Sequence, residues 1–299
     1  MSKYSYSIFG LNVISDLEFP ELISGNGHPY DLTITEGSVP DNLSSSVEYR
    51  GNFQYAGDEF LFKSKNSGKF LLRNSEEIIF ERYKDSTYED IRVLLLSVVI
   101  GIFLHKKEKF PLHASAVEVN GKAILFAGQC GIGKSTFAAG LIARGTELIS
   151  DDITVIEEHS NRYFAVPSFP QVKLWPDSMG VLGFDPEKFS KLRPKVNKRQ
   201  MLMDKITEEQ IEIDTIYFLA RNNIQQNKIV TLTVPQKISL LENNTFRIGH
   251  LKQIGNTKKH FDTCCELVKN VKIKKIDRPH GKFELNKTIG LILDDLKNN

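Results

Sequence analysis

The sequence predicts an α/β protein: a P-loop core with a mixed sheet, preceded by a small β-rich N-terminal module. Three observations predict it. Residues Gly128, Gln129, Cys130, Gly131, Ile132, Gly133, Lys134 and Ser135 match the phosphate-binding loop pattern in full, with an apolar strand (123–127) running in and a helix-favouring stretch (135–144) running out. The apolar runs 114–119 and 122–127 are joined by Asn120-Gly121, a two-residue hairpin signal because both central residues need positive φ. Residues 1–85 read as short alternating or aromatic runs broken by turn residues.

In chain order, residues 4–8 alternate and open the protein as a strand, Gly10-Leu11-Asn12 turns it, and residues 31–35 alternate again. Short strands follow at 52–56, 59–63 and 69–73, the last two flanking Asn66-Ser67-Gly68, and another at 78–83. This module carries no catalytic constellation and reads as a scaffold or a substrate-recognition element. Thr87-Tyr88-Glu89-Asp90 resembles a capping box. Ile91, Leu94, Leu95, Val98, Val99 and Ile102 then keep helical spacing. We take residues 1–105 as the β-rich module ending in a packing helix, and 106–299 as the P-loop domain.

The Asn-Gly turn fixes a register. Val119 faces Lys122, so His113 faces Gly128 at the mouth of the loop. The strand feeding the loop therefore pairs antiparallel with its predecessor, whereas an ordinary P-loop fold has parallel neighbours and helical crossovers. Gly131 and Gly133 let the backbone turn its N–H groups toward phosphate oxygens, and the helix start adds positive potential there. Lys134 is placed for the outer phosphates and Ser135 for Mg²⁺, with Thr136 next along the helix. Cys130 sits within the loop, so a thiol-alkylating reagent is expected to inactivate and ATP to protect. Downstream, an apolar run leads into Asp151-Asp152: one carboxylate to hold metal, the other to accept a proton from an attacking hydroxyl.

The stretch from His113 through Asn120-Gly121, the loop itself and Leu148-Ile149-Ser150-Asp151-Asp152 together resemble the catalytic core of HPr kinase/phosphorylase. They are closer still to HPr-kinase-related proteins found beside bacterial peptide-modification genes, including kinases of lasso-peptide precursors. The strong resemblance covers residues 111–157, with a weaker extension through 169–183. It implies the core shared by HPr kinases and phosphoenolpyruvate carboxykinases, ATP and Mg²⁺ as cofactors, Asp151 as base and Asp152 as metal support. The glutamate-arginine-glycine-rich signature of true HPr kinases has no match downstream, which argues against HPr as substrate and against dephosphorylation.

Further along, residues 166–183 are proline-rich and carry Trp175, read either as a wall of the acceptor site or as core packing. Residues 190–200 hold Lys191, Arg193, Lys195, Lys198 and Arg199. Lys198 or Arg199 could meet nucleotide or acceptor; we take Arg199 as the nucleotide-binding candidate, against the plain reading of a solvated loop. Strands follow at 211–220 and 229–234, and a helical or mixed segment at 235–241. Next comes a helix at 260–268 with Phe261, Cys264, Cys265 and Val268 on one face. Val271 and Ile273 suggest an exposed edge strand, and residues 285–296 a closing amphipathic helix.

A net charge of +2 implies no general pull toward nucleic acid. Three cysteines give no disulfide framework and suit a reducing cytosol. The most apolar run, 93–104, is too short to span a bilayer, and the N-terminus has no long apolar core, so a cytoplasmic protein without a membrane role is expected. The expected activity is transfer of the γ-phosphate to a serine-type hydroxyl of a peptide or protein, with homo-oligomerisation left open. The alternatives are a small-molecule hydroxyl as acceptor, or a nucleotide-gated peptide- or protein-binding module without transfer.

Overall fold

The computed structural model describes residues 3–25, 27–44, 47–193, 196–203, 206–281 and 283–298. The chain forms two compact units: Met1–Lys109 with Gly249–Thr257, and Phe110–Ile248 with Lys258–Asn299.

The first unit is built on one nine-stranded sheet. Its hairpin at Glu59–Lys63 and Gly68–Arg73 closes with Lys63 opposite Lys69, around the turn expected at Asn66-Ser67-Gly68. Phe60, Phe70, Leu72 and Phe80 are fully buried on this sheet. The helix Tyr88–Leu94 begins with a capping box between Thr87 and Asp90. The regular spacing predicts an unbroken helix to Ile102. Instead a π-helical turn, Leu95–Val99, separates it from Ile100–Lys106. Leu95, Leu96, Val98 and Val99 are all buried on this wider turn. The returning segment 249–257 completes this unit. His250 hydrogen-bonds Tyr55 and meets the Phe53 ring edge-on at 4.6 Å, and Asn256 Nδ2 donates to the His105 carbonyl at 2.6 Å.

In the second unit we number strands β1 (Phe110–Leu112), β2 (Ala114–Val119), β3 (Lys122–Ala127), β4 (Glu147–Ser150), β5 (Thr154–His159), β6 (Arg162–Val166), β7 (Gln171–Leu174), β8 (Lys191–Arg193), β9 (Val196–Leu202), β10 (Ile211–Asn222), β11 (Lys228–Thr231) and β12 (Lys272–Pro279). The helices are α1 (Lys134–Ile142), α2 (Pro176–Val181), α3 (Val234–Asn244), α4 (Thr257–Asn270) and α5 (Leu285–Lys297). The main sheet runs β1-β5-β6-β10-β3-β2-β4, with β12 on β10 and β11 on β12. It is mixed: β2–β3 and β2–β4 are antiparallel, whereas β3–β10 and β10–β12 are parallel. One face packs Phe126, Phe137, Tyr217 and Ile289; the other packs Leu125, Phe218, Leu241 and Leu267. A three-stranded sheet, β7-β9-β8, lies beside α1 through Val172, Leu174 and Met201.

Two expectations fail here. The strand at Val271 and Ile273 is not an edge: β12 pairs with β10 on one side and β11 on the other. Its lysines look like an edge pattern in sequence but are matched by acids, Lys272 to Asp214 at 3.0 Å and Lys274 to Asp295 at 2.8 Å. On α4 the buried face is His260, Cys264, Leu267 and Val268, while Phe261 is exposed. Phe261 lies one helical step, about 100°, from the His260 position, enough to swing it out. No helix among the described residues is long and apolar enough to cross a membrane.

Candidate active site

The hairpin delivers the register expected of it: Val119 pairs with Lys122 and Ala114 with Ala127. One step on, the chain leaves the ladder, and the His113 N–H donates to the Asn244 carbonyl at the end of α3, 2.8 Å away. The loop turns through Gly131 at φ +76° and Gly133 at φ +110°, conformations that Cβ-bearing residues resist. Helix α1 then starts at Lys134. The next residues are anchored as well, since Thr136 Oγ1 donates to Ser178 Oγ at 3.0 Å.

Lys134, His113 and both aspartates meet at this mouth. Lys134 Nζ donates to the Gly128 and Gln129 carbonyls at 2.9 and 3.3 Å and lies 3.0 Å from His113 Nε2. His113 Nδ1 is 2.8 Å from the Asp152 carbonyl oxygen. A carbonyl only accepts, so Nδ1 carries the proton and Nε2 accepts from the ammonium. Burial and the Lys134 cation push the imidazole pKa down, keeping it neutral. Burial also pushes the Lys134 ammonium down. Because the folded-state pKa of His113 lies below its unfolded value of about 6.5, the unfolded chain takes the proton more readily. The stability His113 contributes is present above that value and is lost as pH falls through it toward the folded one. A denaturation midpoint that drops between pH 7.5 and 5.5, and drops less in His113→Asn, is the expected result.

The two aspartates differ sharply. Asp151 is buried and its oxygens are engaged: Oδ1 accepts from Ser115 Oγ at 2.6 Å and Ser135 Oγ at 2.7 Å, and Oδ2 from the Lys173 N–H at 2.8 Å. Asp152 takes a left-handed backbone at φ +73°, which turns its carboxylate toward Lys173 Nζ, 3.3 Å away, and His113, 3.5 Å away. Burial would raise its pKa, but the Lys173 and Lys198 ammonium groups outweigh that and hold it well below the usual carboxylate range.

Asp152 lines a cavity of about 70 Å³ with His113, Lys134, Ser135, Lys173, Lys198 and Trp175; Asp151 is sealed behind Ser135. Trp175 is 46% exposed, which removes the core-packing reading and leaves its ring as a wall of this cavity. Arg199 is directed elsewhere. On β9 its side chain points to the face opposite Lys198, where it binds Glu187 at 2.5 Å and the Phe189 carbonyl at 3.2 Å. Lys195 of the same basic cluster lies outside the described residues.

Sequence reasoning missed Lys173, which sits on β7 with no motif around it, and Arg278. The Arg278 guanidinium is buried, lies 5.1 Å over Phe137 and 4.9 Å over Phe283, and donates to the Ile132 carbonyl of the loop. It braces the loop from behind. Cys130 is exposed at the loop's crest and lines the cavity. Stoichiometric alkylation of Cys130 is expected to abolish nucleotide binding, and prior ATP to slow the labelling; mass spectrometry with a binding assay reads both.

A family model described as SynChlorMet cassette protein ScmC matches residues 80–177. Among curated proteins, an HPr kinase/phosphorylase of Mycoplasmopsis pulmonis is 37% identical over 71 residues, covering 23% of this chain and 23% of that protein. One of Bacillus cereus is 30% identical over 101 residues, covering 34% of this chain and 28% of that protein. The chain thus spans about a quarter of the length of these relatives. Among solved structures, the Hpr(Ser) kinase/phosphatase from Coxiella burnetii aligns with a TM-score of 0.34 at 14% identity, over 63% of this chain and 91% of that one. The chain is HPr kinase/phosphorylase-like, and the segment matched by the family model, residues 80–177, includes Lys134, Asp151 and Asp152.

Proposed function

We propose that the second unit is an ATP-dependent kinase that transfers the γ-phosphate to a serine-type hydroxyl of a peptide or protein, such as a ribosomally made precursor peptide. The observation that carries this reading is the convergence of Lys134, Lys173 and Lys198 with one half-buried carboxylate, Asp152, at the mouth of a P-loop. Phosphoryl transfer rests on positioning and on charge stabilisation of the equatorial oxygens, and three ammonium groups facing one small cavity supply that. Lys134 would exchange its loop carbonyls for the outer phosphates. Lys173 and Lys198 would meet charge on the transferred group, a role for which the sequence offered Lys198 or Arg199.

The geometry favours the opposite division of labour between the aspartates from the one the resemblance implies. Asp151 grips the Ser135 hydroxyl, so it would serve the metal end. Two hard oxygens there, one hydroxyl and one carboxylate, suit a Mg²⁺ that keeps water and phosphate oxygens as its other ligands. When bound, Mg²⁺ neutralises charge between the outer phosphates. Asp152 faces the cavity and would orient the acceptor hydroxyl and take its proton late in transfer, as suits a strongly acidic carboxylate. Neutral His113 would hold Asp152 through its carbonyl. An exposed Trp175 at the rim supports a peptide acceptor over a small molecule.

The test is incubation with labelled ATP and serine-containing peptides beside small-molecule alcohols, followed by phosphoamino-acid analysis. Label on peptide serine is the expected outcome. Label confined to small alcohols, or nucleotide binding without any transfer, would overturn the proposal.

A further inference from the structure

Arg278 sits at the carboxyl end of β12, behind the phosphate loop, and is 3% exposed. Its guanidinium lies against the Phe137 ring of α1 and the Phe283 ring, which meet each other edge-on at 5.6 Å. Aromatic faces attract a cation, but they do not neutralise it. Among the described residues no carboxylate pairs with Arg278, and its Nε is buried without a hydrogen-bond partner. The charge that acts on it is a like one. Arg221 stands beside it on parallel β10. Burial, together with that cation, pushes its pKa down to about 10, so it stays protonated at neutral pH. A buried cation without a counter-ion is costly to keep, and packing alone would be served as well by a methionine.

What the guanidinium holds is a single peptide. It donates to the Ile132 carbonyl. In a trans peptide the carbonyl and the following N–H point in opposite directions. A carbonyl fixed toward Arg278 therefore turns the Gly133 N–H away from it, to the side of the catalytic cavity that Gly133 lines. No side chain stands between the two: a Cβ on Gly133 would already lie 3.7 Å from Arg278 Nη2. We propose that Arg278 is a positioning residue for phosphoryl transfer: it aims the Gly133 N–H at the phosphates, and its unmatched charge is balanced by theirs when the loop is occupied. The proposal rests on the loop being a triphosphate site, as argued above. A buried charge is screened far less than a surface one, so it acts on an anion across the loop without touching it.

The probe is inorganic tripolyphosphate, titrated by calorimetry into the full chain. Arg278→Met keeps the reach and the ring contacts and removes the charge. It is expected to weaken tripolyphosphate binding by about ten-fold or more, the scale of one hydrogen bond from a charged group, while the nucleotide-free protein melts no lower than the wild type. Arg278→Lys keeps the charge and is expected to bind with an affinity between the two. Wild-type affinity in Arg278→Met would overturn the proposal. So would a melting midpoint that falls together with the affinity, or an Arg278→Lys protein that binds no better than Arg278→Met; either makes Arg278 a packing brace alone. Lys134→Ala tests the premise separately. It is expected to lose tripolyphosphate binding, and wild-type affinity in that variant would remove the triphosphate site itself.

Discussion

Replacing Lys134 with alanine is expected to reduce phosphoryl transfer by about 10²–10³-fold or more, the scale seen when one preorganised donor to transition-state charge is removed. The loop loses the ammonium that lies nearest its mouth. The variant should still fold, because Lys134 contacts loop carbonyls and a histidine and fills none of the core clusters. Single-turnover transfer and nucleotide affinity, measured together, check it. Wild-type turnover in Lys134→Ala would remove the phosphate loop from the reaction altogether.

Asp152→Asn is expected to lower transfer by about 10²–10⁴-fold, the usual contribution of a positioned base, with nucleotide affinity nearly unchanged. Asparagine is the right probe because Asp152 stands at φ +73°, a backbone state that asparagine accepts and alanine resists. Asp151→Asn is expected to behave differently. It should weaken Mg²⁺-dependent nucleotide binding together with the rate, since its carboxylate holds Ser135. Metal titrations of both variants separate the roles. A large loss of rate in Asp151→Asn at unchanged metal dependence, with a mild effect in Asp152→Asn, would restore the order that the resemblance implies.

The loop, its strand and helix, and the hairpin in front of them were legible because each rests on local rules: glycine at positive φ, an Asn-Gly turn, an apolar run of strand length. The hairpin register held as far as Ala114 opposite Ala127, one residue short of His113, since a two-residue turn fixes register without knowledge of the rest of the sheet. What could not be read depends on distant pairing. Lys198 and Arg199 are neighbours on β9 and point to opposite faces; which face meets the cavity follows from the pairing of Leu174 with Arg199, and no local pattern reveals that. The same holds for Asp151 and Asp152, whose division depends on one left-handed residue. The lysines of β12 mimic an exposed edge because their acidic partners come from β10 and α5.

The first unit draws its last piece, residues 249–257, from deep within the sequence of the second. During synthesis the ribosome must therefore finish most of the kinase-like unit before His250 exists to meet Tyr55 and Phe53, or Asn256 to meet the His105 carbonyl. The simple order in which an N-terminal body folds while the rest is being made is closed to this chain. The same threading sets a rule for dissecting it. A fragment ending at Lys109 lacks the returning segment, and a fragment starting at Phe110 carries it without its partners, so a cut at that boundary leaves neither half whole.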